Sequence, residues 1–278
     1  MRQIAHLSDL HFDRIDPVIV KALIADLEER KPDLIVISGD LTQRARTHQF
    51  VAAQEFLSNL PARHLAVPGN HDIAPFFRPW IRAFDPFGRY RRYIGQEMFP
   101  TFQDDEIAVI GLNTARPYRW KEGSLSPGQV EAVRRTMGKL DPGLFKIVFT
   151  HHPFLPPPDS PSTPLVNHAR SSLRVFESVS VDLLLAGHLH RAYIGDVTRH
   201  YTAVKRSILV AQASTATSTR LRAEPNAYNW ITIDGPRVHL QANSWDGVRF
   251  KGMEKEIFVK RDNLWHPERV SEAFGGME

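Results

Sequence analysis

The chain contains no cysteine, which excludes disulfide staples and thiolate metal sites and leaves the redox compartment unreadable. It has no apolar stretch approaching the ~20 residues that a membrane-spanning helix needs. A cleaved leader is not expected, because the first apolar run leads within a few residues to Asp9, a candidate functional residue that would be lost with it. The expected location is the cytoplasm. An excess of one charge is lacking too: 35 Lys and Arg against 31 Asp and Glu leave a formal +4. That balance suits an anionic substrate, and it equally fits a solvated surface with slightly more arginine than aspartate. No repeat, low-complexity tract, linker or long basic groove is evident, so no stable nucleic-acid complex is expected. Neither G-x-G-x-x-G nor G-x-x-x-x-G-K-[ST] follows the first apolar run, which disfavours a nucleotide-binding fold.

What is present begins as β-α-β-α-β. Residues 4–7 read as a strand and 17–29 as an amphipathic helix, with Val20, Leu23, Ile24 and Leu27 at helical spacing. A buried strand at 34–38, a helix at 47–60 and a strand at 64–67 follow. Further strands fit 107–112, 146–150, 181–186, 207–211, 230–233 and 238–242. The early alternation implies parallel pairing with covering helices, and the late part looks antiparallel. One α/β domain with two packed sheets is the economical reading of residues 1–278. The prolines around 154–164 read as a surface loop, and 252–278 is polar, with its packing left unassigned.

Each of five strand ends delivers Asp, Asn or His: Ser8-Asp9-Leu10-His11, Gly39-Asp40, Gly69-Asn70-His71-Asp72, His151-His152-Pro153 and Gly187-His188-Leu189-His190. In an α/β sheet, loops beyond the carboxyl ends of the strands converge on one place. In an extended D-x-H or H-x-H segment, alternate side chains would face the same way. The glycines before Asp40, Asn70 and His188 would permit turns that a Cβ obstructs. A lone His after a strand is more often a surface residue, and a lone Asp after Gly more often a cap or turn; the five patterns in order are what carry weight. Oxygen and imidazole donors without sulfur suit Mn²⁺, Fe²⁺, Fe³⁺, Zn²⁺ or Co²⁺. Asp9, His11, Asp40, Asn70, His151, His188 and His190 are too many for one tetrahedral ion, and two ions sharing a carboxylate would use them.

The series D-x-H, G-D, G-N-H-D, H-H-P and G-H-x-H, spanning residues 9–190, resembles that of the calcineurin-like metallophosphoesterases. The resemblance implies a four-layer α-β-β-α sandwich of two mixed sheets flanked by helices. It implies one ion on Asp9, His11, Asp40 and His190, and a second on Asp40, Asn70, His151 and His188, with Asp40 as the bridge. His152 is then read as substrate-facing or as a support behind the ligands, with a ligand role as the remaining alternative. His71 would face the phosphate or leaving group as a proton donor or charge stabiliser, after attack by a hydroxide held between the ions. Asp72 would orient His71, or simply cap the following turn.

Within the superfamily, lipid A precursor pyrophosphatases usually carry Arg where this chain has His71, and repair nucleases add a capping domain not evident here. G-N-H-D together with G-H-x-H most resembles the bacterial branch of cyclic-nucleotide phosphodiesterases and glycerophosphodiesterases. The expected substrate is a small or lipid-linked phosphodiester: a cyclic nucleotide, glycerophosphodiester or phospholipid. A phosphomonoesterase on the same centre is the alternative enzyme, and a scaffold like the retromer subunit, which has lost catalytic residues, is the alternative of another class.

An insert at about 75–95 is rich in aromatics and arginines and would overhang the site. Its composition suits a stacked base with a paired phosphate, a membrane headgroup region, or a packed cap or dimer contact, and the three stay open. Arg78 is its candidate substrate contact. The loop 116–123, with Tyr118 and Trp120, would form an opposite wall. Asn113 would reach the phosphate or serve a turn, and His168 and Arg170 would form a lid or a plain surface loop.

Overall fold

The computed structural model describes residues 1–119, 121–221 and 224–268. In chain order, β1 (Arg2–Leu7), α1 (Pro17–Arg30), β2 (Leu34–Ile37), α2 (Thr47–Ser58) and β3 (His64–Ala66) form the expected β-α-β-α-β unit. Two short helices, α3 (Pro79–Phe84) and α4 (Gly88–Tyr93), make up the insert. Next come β4 (Thr101–Gln103), β5 (Ile107–Leu112), α5 (Pro127–Met137), β6 (Phe145–Thr150), α6 (Ala169–Ser178) and β7 (Leu183–Ala186). The described residues finish with β8 (Tyr193–Asp196), β9 (Leu209–Gln212), β10 (Ala227–Asp234), β11 (Arg237–Trp245), β12 (Phe250–Arg261) and β13 (Leu264–Pro267).

One sheet has the order β13-β12-β11-β10-β1-β2-β3, the other β4-β5-β6-β7-β9-β8. Strands β1 to β3 are parallel, as are β5, β6, β7 and β9, and the remaining pairings are antiparallel. Both sheets are therefore mixed.

Side-chain alternation explains the layering. In β2, Leu34 and Val36 enter a core that also holds Val109 of β5, Ile147 and Phe149 of β6 and Leu185 of β7, so this core lies between the sheets. Ile35 and Ile37 point the other way, to Leu23 and Leu27 of α1 and Phe50 and Ala53 of α2. In the second sheet, Ile110, Val148 and Leu184 meet Val133 and Met137 of α5 and Leu173 and Phe176 of α6. The result is α-β-β-α. Strands sandwiched between two cores read as unbroken apolar runs. Truncating a side chain such as Phe149, fully buried at the centre, would cost ~3–5 kcal/mol.

Local signals set the helix starts. Asp16 accepts from the Val18 N–H at 2.8 Å ahead of Pro17. Ser126 and Gln129 exchange side-chain-to-backbone bonds across the first turn of α5. Helices α5 and α6 were not anticipated from sequence. The segment from residue 252, left unassigned above, supplies most of β12 and all of β13 as far as it is described, and 269–278 lie outside the described residues. Among the described residues no helix is long and apolar enough to cross a membrane.

Candidate metal centre

The carboxyl ends of β1, β2 and β3 in one sheet and of β6 and β7 in the other meet, and the seven candidate ligands come together there. His190 Nε2 lies 3.2 Å and His11 Nε2 3.6 Å from Asp9 Oδ1, and the two ring nitrogens face each other at 3.1 Å. On the other side, His151 Nε2 stands 3.1 Å from Asn70 Oδ1 and 3.2 Å from His188 Nδ1. Asp40 Oδ2 sits between the two sets, 3.8 Å from His11 Nε2 and 3.4 Å from His151 Nε2.

These spacings suit metal ligation. Donors bound at ~2.1 Å to one ion stand roughly 3.0–3.4 Å apart, and nitrogen facing nitrogen without a shared cation or proton would be repulsive. His151 Nδ1 lies 2.7 Å from the Ser38 carbonyl and His190 Nδ1 3.0 Å from the Arg220 carbonyl. A ring that donates from Nδ1 to a carbonyl presents the Nε2 lone pair to the centre. Asp9 Oδ1 and His11 Nδ1 are buried and have no hydrogen-bond partner among the described residues. His and Asp clusters able to hold metal are thus present: Asp9 with His11 and His190, Asp9 with Asp40 and His151, and His151 with His152 and His188.

The backbone that achieves this is not the extended one expected. Asp9, His11, Asp40, His188 and His190 all have φ between 52° and 75°. The D-x-H and H-x-H pairs converge through left-handed residues rather than through strand alternation. Asp and His tolerate that region better than bulkier residues, and such strain gathers at functional sites. Gly69 is required by proximity, since a Cβ there would lie 2.0 Å from Asp40 Oδ1. Its own φ of −96° is unstrained.

Electrostatics follow from burial among opposite charges. Burial would push the Asp9 and Asp40 carboxyls up, but His190 and His11 around the first and His151 and His71 around the second hold both well below the usual range. Burial would likewise depress His151, yet the Asp40 carboxylate outweighs it and lifts the ring to about 9. Burial, with His151 beside it, drives His188 down to about 3.

The His71 N–H donates to Asp40 Oδ1 at 2.8 Å, and its Nδ1 lies 2.6 Å from the Gln43 carbonyl. Its Nε2 faces the Arg220 guanidinium at 3.4 Å. Asp72 does not orient His71: its carboxylate accepts from the Leu41, Thr42 and Gly69 N–H groups and the Thr42 hydroxyl, at 2.8–3.1 Å. Neighbouring side chains in the tight 70–72 turn point apart, so Asp72 fastens the β3 loop to the β2 loop. Nor does it cap a following helix: its partners are Gly69, which precedes it, and the β2 loop, and the next helix starts at Pro79. Burial and Asp40 push the Asp72 carboxyl up to about 6.

A cavity of about 370 Å³ opens over the centre, with Asp40, Asn70, His71, His152, His188 and His190 in its wall. His152 belongs here: its Nδ1 lies 2.8 Å from the Thr114 hydroxyl, while Nε2 is buried without a partner among the described residues. Lys121 to Gly123 supply part of the wall, as expected of that loop, and Trp120 lies outside the described residues. Asn113, Arg78 and Tyr118 are not in the wall. Asn113 Oδ1 accepts from the Ala115 N–H at 2.9 Å, the turn role; Arg78 and Tyr118 lie exposed on the outer surface of the insert and its neighbouring loop. His168 and Arg170 stand at the start of α6.

Sequence reasoning missed two contributors. Arg220 supplies both a carbonyl to His190 and a cation to the cavity. The proline-rich loop also lines the cavity, through Pro157, Ser160 and Pro164. Neither residue type nor spacing marks a loop arginine 30 positions beyond His190, and a proline-rich stretch carries no chemical signature of its own.

Residues 2–192 match the family described as calcineurin-like phosphoesterase. The chain is 25% identical over 202 residues to a probable cyclic nucleotide phosphodiesterase of Synechococcus, covering 69% of this chain and 74% of that protein. It is 28% identical over 209 residues to a glycerophosphodiester phosphodiesterase of Enterobacter lignolyticus, covering 67% and 70%. Among solved structures, a dimetal phosphatase from Danio rerio aligns at TM-score 0.63 and 13% identity, over 90% of this chain and 98% of the other. A purple acid phosphatase from yellow lupin aligns at 0.67 and 11%, over 90% and 52%. At such identities the structural likeness speaks for the fold.

Proposed function

The chain belongs to the calcineurin-like phosphoesterase family, and from that premise we propose that it hydrolyses phosphodiesters at a two-metal centre. The observation that carries this reading is the position of Asp40 Oδ2 within 3.4–3.8 Å of a ring nitrogen in each of two donor sets. Asp9, His11 and His190 would hold one ion, Asn70, His151 and His188 the other, and Asp40 both. Bound there, the pair would supply an acidified water as nucleophile and neutralise charge on the phosphoryl oxygens.

The protein's own groups do the rest. Backbone carbonyls of Ser38 and Arg220 fix the orientation of His151 and His190. His71, anchored by donating from Nδ1 to the Gln43 carbonyl, presents Nε2 to the cavity; as the doubly protonated imidazolium it would give the Nε2 proton to the departing oxygen and be left neutral. The Arg220 guanidinium beside that nitrogen attracts an anionic substrate to the same spot. Diester rather than monoester chemistry is supported by the names of relatives at 24–28% identity, all but one of which are called phosphodiesterases.

Rates on bis-p-nitrophenyl phosphate and p-nitrophenyl phosphate, measured with Mn²⁺, test the proposal. Faster turnover of the diester is expected. A strong monoester preference would make the protein a phosphomonoesterase, and inertness of the metal-loaded chain toward both would favour a non-catalytic scaffold.

A further inference from the structure

Helix α3 and its approach carry large apolar side chains that the fold leaves in water. Phe77 is 70%, Trp80 76% and Phe84 81% exposed, and Tyr118 on the adjoining loop is 73% exposed. The rings of Trp80 and Phe84 stack in parallel, with centroids 6.2 Å apart. Contiguous aromatic exposure of this kind usually marks an interaction surface.

The charge of the same stretch is distinctive. Residues 75–93 contain Arg78, Arg82, Arg89, Arg91 and Arg92 against Asp85 alone, a net of five minus one, or +4. The whole chain carries 35 basic and 31 acidic residues, also +4, so everything outside this stretch, 30 against 30, sums to zero. Among the described residues only Arg91 is ion-paired within it, to Asp85. Arg82 and Arg89 are bound by neutral carbonyls, which leave their charge uncompensated. Arg78 and Arg92 are exposed.

We propose that this face docks on the surface of an anionic lipid bilayer. Aromatic rings projecting beside arginines match the boundary between headgroups and acyl chains, where rings bury their apolar bodies and guanidinium groups stay with phosphates. A second copy of the chain is the poorer occupant, because a two-fold contact would set +4 against +4. The docking face is rigidly joined to the cavity wall: Arg82 donates to the carbonyls of Ala74, Pro117 and Arg119, gripping the loop that continues into Lys121 to Gly123. The proposal concerns binding and stands whether or not the catalytic reading does.

Co-sedimentation of the full chain with vesicles tests it. Wild type pellets with vesicles of phosphatidylglycerol and phosphatidylcholine, and binds at least about tenfold more weakly to phosphatidylcholine alone or in about 0.5 M salt. The Trp80→Ala/Phe84→Ala variant loses at least about tenfold in affinity for the anionic vesicles. It keeps the wild-type circular dichroism spectrum and the wild-type rate on a soluble diester, so loss of binding is read apart from loss of catalysis. Phe77→Ala, on the same face, weakens binding in the same direction and covers the case in which the double variant folds poorly. Four results would overturn the proposal: wild type that ignores anionic vesicles, variants that bind as wild type does, a wild-type dimer that the double variant dissolves, or single-stranded nucleic acid bound through these rings in place of vesicles.

Discussion

Nε2 of His151 lies 3.4 Å from Oδ2 of Asp40, which places the end of β6 in one sheet against the end of β2 in the other. The centre exists only where the two sheets close on each other, so side chains that fasten those loops matter as much as the donors themselves.

Asp72 is such a fastener. Replacing it with Ala strands buried N–H groups of Leu41, Thr42 and Gly69, at a cost of about 3 kcal/mol in urea unfolding. Unchanged stability with a collapse in turnover would instead return Asp72 to a direct catalytic role.

His71→Ala removes the candidate proton donor and no candidate ligand. Metal content should stay at wild type while turnover falls ~10²–10⁴-fold. A variant that turns over normally would remove His71 from the mechanism.

Gly69→Ala would force a Cβ to 2.0 Å from Asp40 Oδ1 and 2.4 Å from the Asp40 nitrogen. Metal affinity should drop by about tenfold or more, as it does when ligand orientation is disturbed. Calorimetric titration that gives wild-type affinity would show that Asp40 can shift without consequence.

The raised His151 makes binding pH-dependent in a definite sense. In the metal-free chain the ring holds a proton up to about 9, whereas a ligating ring must be neutral. Apparent affinity should therefore rise with pH from 7 toward about 9, by roughly tenfold per unit for one proton expelled. For the metal-free fold the sign is opposite. The His151 interaction stabilises fully below the ~6.5 of an unfolded imidazole and is lost as pH rises through about 9. Titration calorimetry in buffers of different ionisation enthalpy counts the proton, and buffer-independent heats would contradict the assignment.

Much of this was legible in the sequence, for identifiable reasons. Runs such as Leu34–Ile37, buried on both faces, had to be strands between two cores. Their chemistry-bearing residues followed immediately, so convergence could be read from order alone. What stayed hidden depends on backbone detail and on polar partners without sequence signatures. Left-handed conformations at Asp9 and His188 look no different in sequence from extended ones. Asp72 next to His71 reads as a partnership, but the turn sends the two side chains to different loops. Arg78 was read toward the substrate because the insert follows the metal loop, and Tyr118 because its loop was expected to form the opposite wall. Yet both side chains are exposed outside the cavity, where Arg82 ties the insert to the carbonyls of Pro117 and Arg119. Helix α5 shows only a thin apolar stripe, Val133 and Met137, within a polar segment, which is why it escaped notice.

Anomalous diffraction from crystals soaked in Mn²⁺, recorded at the manganese edge, tests the two-ion centre directly. Two peaks should appear, one among Asp9, His11 and His190 and one among Asn70, His151 and His188, with the Asp40 carboxylate between them. A single peak, or peaks remote from Asp40, would contradict it.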